Sequence, residues 1–85
     1  MARREAIGRG DSLLRIGQVS HLVGVPIYTL RYWEREFPGV LTPLRTPGGQ
    51  RRYSQENLQV IYRIKELLRE KMYSLAGAKR ILEGK

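Results

Sequence analysis

The apolar residues near the start of the chain recur at helical spacing in two neighbouring segments. The first stripe consists of Ile16, Val19, Leu22 and Val23. Because residues three and four apart share one side of a helix, this stripe predicts a short amphipathic helix over residues 16–23. Gly24 is placed to end it in a left-handed conformation, and Pro26 suits the first turn of a second helix that reaches about Glu36. Two helices joined by so short a glycine-containing connection predict a helix-turn-helix.

The second predicted helix has two chemically different sides. Its apolar side consists of Pro26, Ile27, Leu30, Trp33 and Phe37, and its outer side of Tyr28, Arg31, Tyr32 and Arg35. An aromatic and cationic outer side favours contact with a ligand. The alternative is an ordinary basic helix surface, in which Glu34 or Glu36 pairs with arginines of the same helix. Tyr32 and Trp33 fit either side, since large aromatic residues are more often packed in a core than presented to a ligand.

The stretch RTPGGQRRY, residues 45–53, predicts a β-hairpin. Extended segments at residues 44–46 and 50–53 flank a Pro-Gly-Gly turn, and glycine supplies the positive φ that hairpin turns need. The strands are short and polar, so they must pack on the helices, and Leu44 and Tyr53 are the expected inward anchors. A solvated charged loop is the alternative interpretation.

The apolar pattern continues through a long third helix and a short fourth one. Ser54 is a suitable N-cap, although Asn57 stands where a complete capping box carries Glu or Gln. The stripe of the third helix consists of Leu58, Ile61, Ile64, Leu68 and Met72, widened by Val60 and Leu67. Ser74 caps a fourth helix that carries Leu75, Ala78, Ile81 and Leu82. The predicted fold is therefore mainly α, with about four helices and a two-stranded β-hairpin.

The length and the charge limit the class of protein. A chain of 85 residues fits one domain, which we place at residues 13–85 after a flexible basic tail of residues 1–12. Sixteen Lys and Arg against 8 Asp and Glu give a formal charge of +8. Such an excess indicates a polyanionic partner, either nucleic acid or an anionic membrane surface. Because no apolar run has membrane-spanning length, a cytoplasmic location without membrane insertion is expected.

The residues of common catalytic and metal sites are scarce in this sequence. The chain has no cysteine, and His21 is its single histidine, which excludes thiolate sites and multi-histidine metal sites. The glycines at residues 48–49 lack the strand–loop–helix context and the lysine of a nucleotide-binding loop. We therefore expect no enzymatic activity, no bound metal and no cofactor.

A helix-turn-helix followed by a basic hairpin fits the geometry of double-stranded DNA. The major groove admits one α-helix, and there an arginine such as Arg31 can pair with guanine through two hydrogen bonds. Tyr28 is placed to contact a thymine methyl group or a phosphate. Hairpin arginines would bind phosphates and release counterions, which positions the protein without specifying the base sequence. These hairpin residues are Arg45, Arg51 and Arg52.

Three runs resemble the DNA-binding domain of the MerR family of bacterial transcription regulators: LRIGQVSHLVGVPIYTLRYWEREF, RTPGGQRRYS and YSLAGAKRIL. The resemblance covers about residues 13–83 and implies a winged helix-turn-helix. Its recognition helix, about residues 26–36, would enter the major groove, and its wing, about residues 44–53, would contact the flanking backbone. The implied DNA-binding residues are Tyr28, Thr29, Arg31, Tyr32, Arg35, Arg45, Gln50, Arg51, Arg52 and Tyr53.

The resemblance also carries expectations about partners. Full-length members bind an inverted-repeat operator or promoter as homodimers and affect RNA polymerase indirectly, which places them at the nucleoid. Because they continue into a long dimerisation helix, we expect this chain to be a fragment of a longer regulator; the alternative is a small stand-alone protein. Two other classes of protein remain as alternatives. One is an excisionase-like recombination factor or recombinase DNA-binding head, and the other is a basic protein-interaction or membrane-surface module.

We predict a separate role for each of three residues of the wing. Gln50 stands where many relatives carry an aromatic residue, so its phosphate contact should be weak. Arg52 alternates to the other side of the strand from Arg51, which favours a structural role for its side chain. Tyr53, at the end of the wing, would lie near the DNA backbone or under the hairpin.

Overall fold

The computed structural model describes residues 13–84, so the tail predicted at residues 1–12 lies outside the described residues. In this part of the chain the fold is mainly helical with one small antiparallel sheet, which confirms the predicted fold class. In chain order the elements are α1 (Ile16–Val23), α2 (Ile27–Glu36), β1 (Leu44–Arg45), β2 (Arg51–Arg52), α3 (Gln55–Lys65), a π-helical turn (Glu66–Glu70) and α4 (Leu75–Leu82). Within residues 13–84, none of the helices combines the length and apolar character needed to span a bilayer.

The turn between α1 and α2 is closed by local bonds and fixed by a distant lysine. Gly24 adopts φ 71°, as its position at the helix end predicted, and its N–H donates to the Ser20 carbonyl at 2.9 Å. The Ser20 hydroxyl donates to the Val25 carbonyl at 2.6 Å. From α3, the Lys65 Nζ donates to the Val23 carbonyl at 2.7 Å. The lysine therefore satisfies a carbonyl at the end of α1 and holds the helix-turn-helix on α3.

One apolar cluster joins all four helices and the segments between them. Its buried members are Val19, Val23, Val25, Leu30, Trp33, Phe37, Leu41, Tyr53, Leu58, Ile61, Ile64, Leu67 and Ala78. The predicted stripes of α1, α2 and α3 supply most of them. Trp33, which fitted either side of α2, is 3% exposed and belongs to the core.

Several residues of the predicted apolar sides are exposed, including Pro26 and, at 38% each, Ile27 and Ile81; Leu22 and Leu44 have separate causes. Leu22 is 55% exposed, because on a helix it lies about 60° from Val19 and about 100° from Val23, outside the arc that packs. Leu44 is 56% exposed because it pairs with Arg52, and cross-strand partners share one side of a hairpin. Arg52 precedes the inward-facing Tyr53, so Leu44 and Tyr53 lie on opposite sides.

The N-terminus of α3 has a complete reciprocal cap, although the sequence predicted an incomplete one. The Asn57 N–H donates to the Ser54 Oγ at 3.2 Å, and the Ser54 N–H donates to the Asn57 Oδ1 at 2.9 Å. The Asn57 amide also donates to the Thr42 carbonyl at 3.4 Å. The shorter side chain therefore replaces Glu or Gln in the capping box and additionally ties the helix to the loop before β1.

The C-terminal end of the long helix differs from the predicted continuous stripe. After Lys65 the helix widens into the π-helical turn, in which the Lys71 N–H donates to the Glu66 carbonyl at 2.9 Å. Leu67 is buried, whereas Met72 is 78% exposed and lies beyond the helix with φ 60°. Met72 is the one non-glycine residue with positive φ between residues 13 and 84. Its exposure corrects its place in the predicted stripe.

Replacing Met72 by glycine is expected to stabilise the protein. A left-handed conformation costs a non-glycine residue about 1–2 kcal/mol, and the exposed Met72 side chain loses little packing. Allowing for the larger entropy of a glycine in the unfolded chain, we expect a gain of about 1 kcal/mol and a Tm about 4–8 °C higher. Thermal unfolding measures it. As a control, Gln59→Gly in the exposed middle of α3 should lower the Tm; a similar loss in Met72→Gly would contradict the prediction.

Candidate nucleic-acid interface

The outer side of α2 presents the aromatic and basic residues that the sequence predicted there. Tyr28 is 76% exposed and Tyr32 is 42% exposed, and Arg31 and Arg35 are exposed as well. Thr29 is half-buried at the edge of this side. The arrangement follows from the burial of Leu30 and Trp33, because core contacts on one side of the helix turn the opposite side toward solvent.

The hairpin of β1 and β2 forms as predicted, with Arg45 opposite Arg51. The Gly49 N–H donates to the Thr46 carbonyl at 2.8 Å, and the Thr46 N–H donates to the Gln50 carbonyl at 2.8 Å. Gly49 adopts φ 86°, the conformation for which the sequence placed a glycine in the turn. This pattern fits a three-residue hairpin loop that ends in a left-handed glycine.

The hairpin is attached to the helices through Tyr53. Its N–H donates to the Leu14 carbonyl at 2.7 Å, and the Leu14 N–H donates to the Tyr53 carbonyl at 2.8 Å. The Tyr53 side chain is fully buried. It has no surface to offer to DNA, which corrects its inclusion among the contact residues and agrees with the other expected position, under the hairpin.

The hydroxyl of Tyr53 is buried without a hydrogen-bond partner among residues 13–84. Burial, and to a smaller extent the Glu34 charge, raise its pKa to about 12, while the charges of Arg51, Arg45 and Arg31 act in the opposite direction. The ring therefore packs in the core while its hydroxyl lies within the electrostatic range of a charged cluster that connects α2 with the hairpin.

Replacing Tyr53 by phenylalanine is expected to raise the free energy of unfolding at pH 7 by about 1 kcal/mol, because an unpartnered buried hydroxyl is destabilising. Denaturant unfolding measures the change. The half-exposed Tyr62 is a matched control, and Tyr62→Phe should leave the stability unchanged. A loss of 1 kcal/mol or more in Tyr53→Phe would show that the hydroxyl makes a stabilising bond.

The same substitution should change the alkaline stability. An unfolded tyrosine releases its proton near pH 10, whereas Tyr53 in the folded protein keeps its proton until about pH 12. Between these values the folded state binds more protons than the unfolded state, so stability falls as the pH rises. Tyr53→Phe should make this fall shallower than Tyr62→Phe does.

A groove of about 400 Å³ lies where α1, α2 and the hairpin meet. Its lining residues are Arg15, Ile16, Arg31, Gly49, Gln50 and Arg51. Three arginines from three different elements therefore converge on one open space. The sequence interpretation had selected Arg31, Gln50 and Arg51 but missed Arg15. Arg15 lies just before α1, where its N–H donates to the Gln18 side chain at 2.9 Å, and no sequence signal there indicates a groove.

Glu34 links α2 to both strands of the hairpin. Its carboxylate accepts a hydrogen bond from Arg45 at 3.3 Å and another from Arg51 Nε. The glutamate side chain is 16% exposed and that of Arg51 is 24% exposed, so the Arg51 pair is partly shielded from water, whereas the Arg45 side chain is 50% exposed. The sequence had offered pairing within α2 as the alternative for Glu34 and Glu36. Instead Glu34 binds the hairpin, and Glu36 lies 3.9 Å from Lys79 of α4.

The side chain of Arg52 folds onto its own strand. Its Nη1 donates to the Arg51 carbonyl at 2.9 Å, and its Nη2 donates to the Gln50 side chain at 3.3 Å. These bonds support the structural role that strand alternation predicted. They also place the Gln50 amide beside the groove that Gln50 lines.

Together these elements define a winged helix-turn-helix domain: two short helices around a tight turn, followed by a basic hairpin. Residues 14–85 match the family described as MerR HTH family regulatory protein. The chain is 38% identical over 73 residues to the HTH-type transcriptional repressor CarH of Myxococcus xanthus, covering 82% of this chain and 24% of CarH. The chain belongs to the MerR family, and it carries the DNA-binding domain of a transcriptional regulator of this family.

Two solved structures share this fold. A MerR-family transcriptional regulator from Bacillus cereus superposes with a TM-score of 0.73 at 25% identity, covering 84% of this chain and 52% of the regulator. HiNmlR, a MerR-family regulator lacking the sensor domain and bound to promoter DNA, superposes with a TM-score of 0.67 at 27% identity, covering 84% of this chain and 55% of HiNmlR. These relatives are regulators, and they favour that class over a recombination factor, a membrane-surface module or an enzyme.

Proposed function

We propose that the chain binds double-stranded DNA sequence-specifically, with α2 in the major groove and the wing on the flanking backbone. The observation that carries this geometry is the convergence of Arg15, Arg31 and Arg51 on one groove between α2 and the wing. Three guanidinium groups around an open space are suited to a phosphate backbone, and a helix directly beside it can enter the adjacent major groove.

The exposed residues divide into two proposed roles. Tyr28 and Arg31 face outward from α2 and read base edges, with Thr29, Tyr32 and Arg35 on the flanks of the same surface. The wing residues Arg45, Gln50 and Arg51 bind phosphates, and Arg52 supports them from within the strand. Phosphate contacts fix the register, and base contacts select the site.

Partners beyond the duplex are part of the same proposal. HiNmlR is bound to promoter DNA, which supports a promoter or an inverted-repeat operator as the target of this chain. The chain spans 24% of the length of CarH and about half of the two solved regulators. We therefore propose that a longer protein supplies dimerisation and affects RNA polymerase indirectly at the promoter, in the cytoplasm at the nucleoid.

Selection of bound duplexes from a random DNA pool tests the function. We expect one enriched half-site, arranged as an inverted repeat if two chains bind together. Circular dichroism of the same sample verifies that the protein is folded. If the folded protein binds all duplexes but enriches no sequence, the proposal of sequence-specific binding is overturned, and only electrostatic binding remains.

A further inference from the structure

Glu34 differs from Glu36 and Glu66, the other acidic residues with an ion pair between residues 13 and 84, in what it contacts. It belongs to the recognition helix but binds arginines 11 and 17 residues further along the chain, on both strands of the wing. Glu36 pairs with Lys79 of α4, and Glu66 pairs with Arg63 of its own helical segment. The Glu34 carboxylate is therefore the ionic connection between the two surfaces that we propose to contact DNA.

The two arginines use different nitrogens in this cluster. Arg45 donates through Nη2 to Glu34 and through Nη1 to the Gly49 carbonyl at 3.1 Å, so each of its terminal nitrogens already has one partner. Arg51 donates to Glu34 through Nε. Among residues 13–84, its terminal nitrogens have no partner, and Arg51 lines the groove. Glu34 thus holds Arg51 by one nitrogen, and Arg51 lines the groove with its other two nitrogens unpaired among residues 13–84.

We propose that Glu34 is a positioning residue for DNA binding, an inference that rests on the proposed function. Its carboxylate fixes the wing at one distance from α2 and directs the outer edge of Arg51 at a backbone phosphate in the groove. An arginine presents five N–H donors in a rigid fork, so one carboxylate and one phosphate can be bound at the same time. The mutual repulsion of Arg31, Arg45 and Arg51 is offset by the same carboxylate.

The opposite role would be competition, in which Glu34 withholds the wing arginines from phosphate. The two roles predict opposite results when the charge is removed. Without a positioning carboxylate, the wing loses its fixed geometry and the preference for the selected site falls. Without a competing carboxylate, binding to the selected site becomes tighter. Two observations favour positioning: Arg51 keeps both terminal nitrogens unpaired among residues 13–84, and Glu34 connects both strands of the wing to α2.

The test compares Glu34→Gln with Glu36→Gln by fluorescence anisotropy on the selected duplex and on a shuffled duplex. Both variants remove one negative charge from α2, so both should bind the shuffled duplex somewhat more tightly. Glu36→Gln should leave the ratio of the two affinities unchanged. Glu34→Gln should lower that ratio about tenfold, as expected when a charge-assisted hydrogen bond that holds the geometry is lost. Loss of general stability would instead reduce binding to both duplexes.

A ratio in Glu34→Gln equal to that in Glu36→Gln would overturn the proposal, and a specific complex tighter than that of Glu36→Gln would establish competition. If Glu34→Gln fails to fold, Arg51→Lys is the second variant. It keeps the net charge but has no second edge with which to bind carboxylate and phosphate together, so the ratio should again fall. An unchanged ratio there would also overturn the proposal.

The proposal can be tested even if the wild-type protein shows no preferred sequence, a result that would overturn the proposed function instead. In the free protein, the Thr46 and Gly49 amides are bonded within the wing, and their hydrogen exchange reports its rigidity. Glu34→Gln should accelerate exchange at both amides relative to Glu36→Gln. Equal exchange in the two variants would show that Glu34 does not fix the wing.

Discussion

Replacing Phe37 by alanine is expected to remove a large fraction of the free energy of unfolding, about 3–5 kcal/mol. Phe37 is fully buried at the end of α2. Its N–H donates to the Trp33 carbonyl at 2.8 Å, and its carbonyl accepts from Val40 and Leu41 at 3.1 and 2.9 Å. Truncating a buried phenylalanine costs about 3–5 kcal/mol, and a small domain has a total stability of about 5–15 kcal/mol.

Denaturant unfolding of Phe37→Ala measures this loss, with Leu22→Ala as the control. Leu22 is also apolar but is 55% exposed, so its truncation should change the free energy of unfolding by less than about 0.5 kcal/mol. A loss below 1 kcal/mol for Phe37→Ala would mean that the loop after α2 can collapse into the vacated volume. The position of the wing relative to α2 would then depend less on this ring than its burial implies.

Replacing Arg31 by alanine is expected to weaken binding to the selected duplex by about 1–3 kcal/mol and to relax base preference at one position. Arg31 is exposed on α2 and also lines the groove beside the wing. It is thus the residue at which the proposed base-reading surface and the proposed phosphate site meet. Anisotropy titrations on the selected duplex and its single-base variants measure both effects.

Arg63→Ala provides the matched control for Arg31→Ala. It removes one positive charge from α3, where Arg63 pairs with Glu66 at 3.1 Å. Its effect should be small and independent of the DNA sequence. Equal losses in Arg31→Ala and Arg63→Ala, with base preference retained, would show that Arg31 contributes charge but reads no base.

The local features of the fold were accessible from the sequence because each rests on residues close together in the chain. Apolar spacing located α1 and α2, Gly24 marked the turn between them, and Gly49 marked the hairpin turn. Ser54 and Ser74 located the starts of α3 and α4, each accepting a hydrogen bond from the N–H three residues on. The exposed side of α2 followed from the same periodicity.

The site was predicted less completely, because its members are brought together from distant parts of the chain. Arg15 joined Arg31 and Arg51 only through the placement of α1, since nothing in its own neighbourhood indicates a groove. Tyr53 was assigned to the contact surface by its place in the wing, yet its bridge to Leu14 buries it. Leu44 was expected inside, and the register opposite Arg52 turned it outward.

The sequence by itself determined the order of the helices, the two glycine-dependent turns, the excess of positive charge and the basic outer side of α2. Helical periodicity, capping and turn chemistry act over three or four residues, so they can be read directly from the chain. Only the tertiary structure decided that Glu34 binds the wing rather than its own helix, and that Lys65 holds the end of α1. Those contacts join residues 11 to 42 positions apart, and their formation depends on how the elements pack around the core.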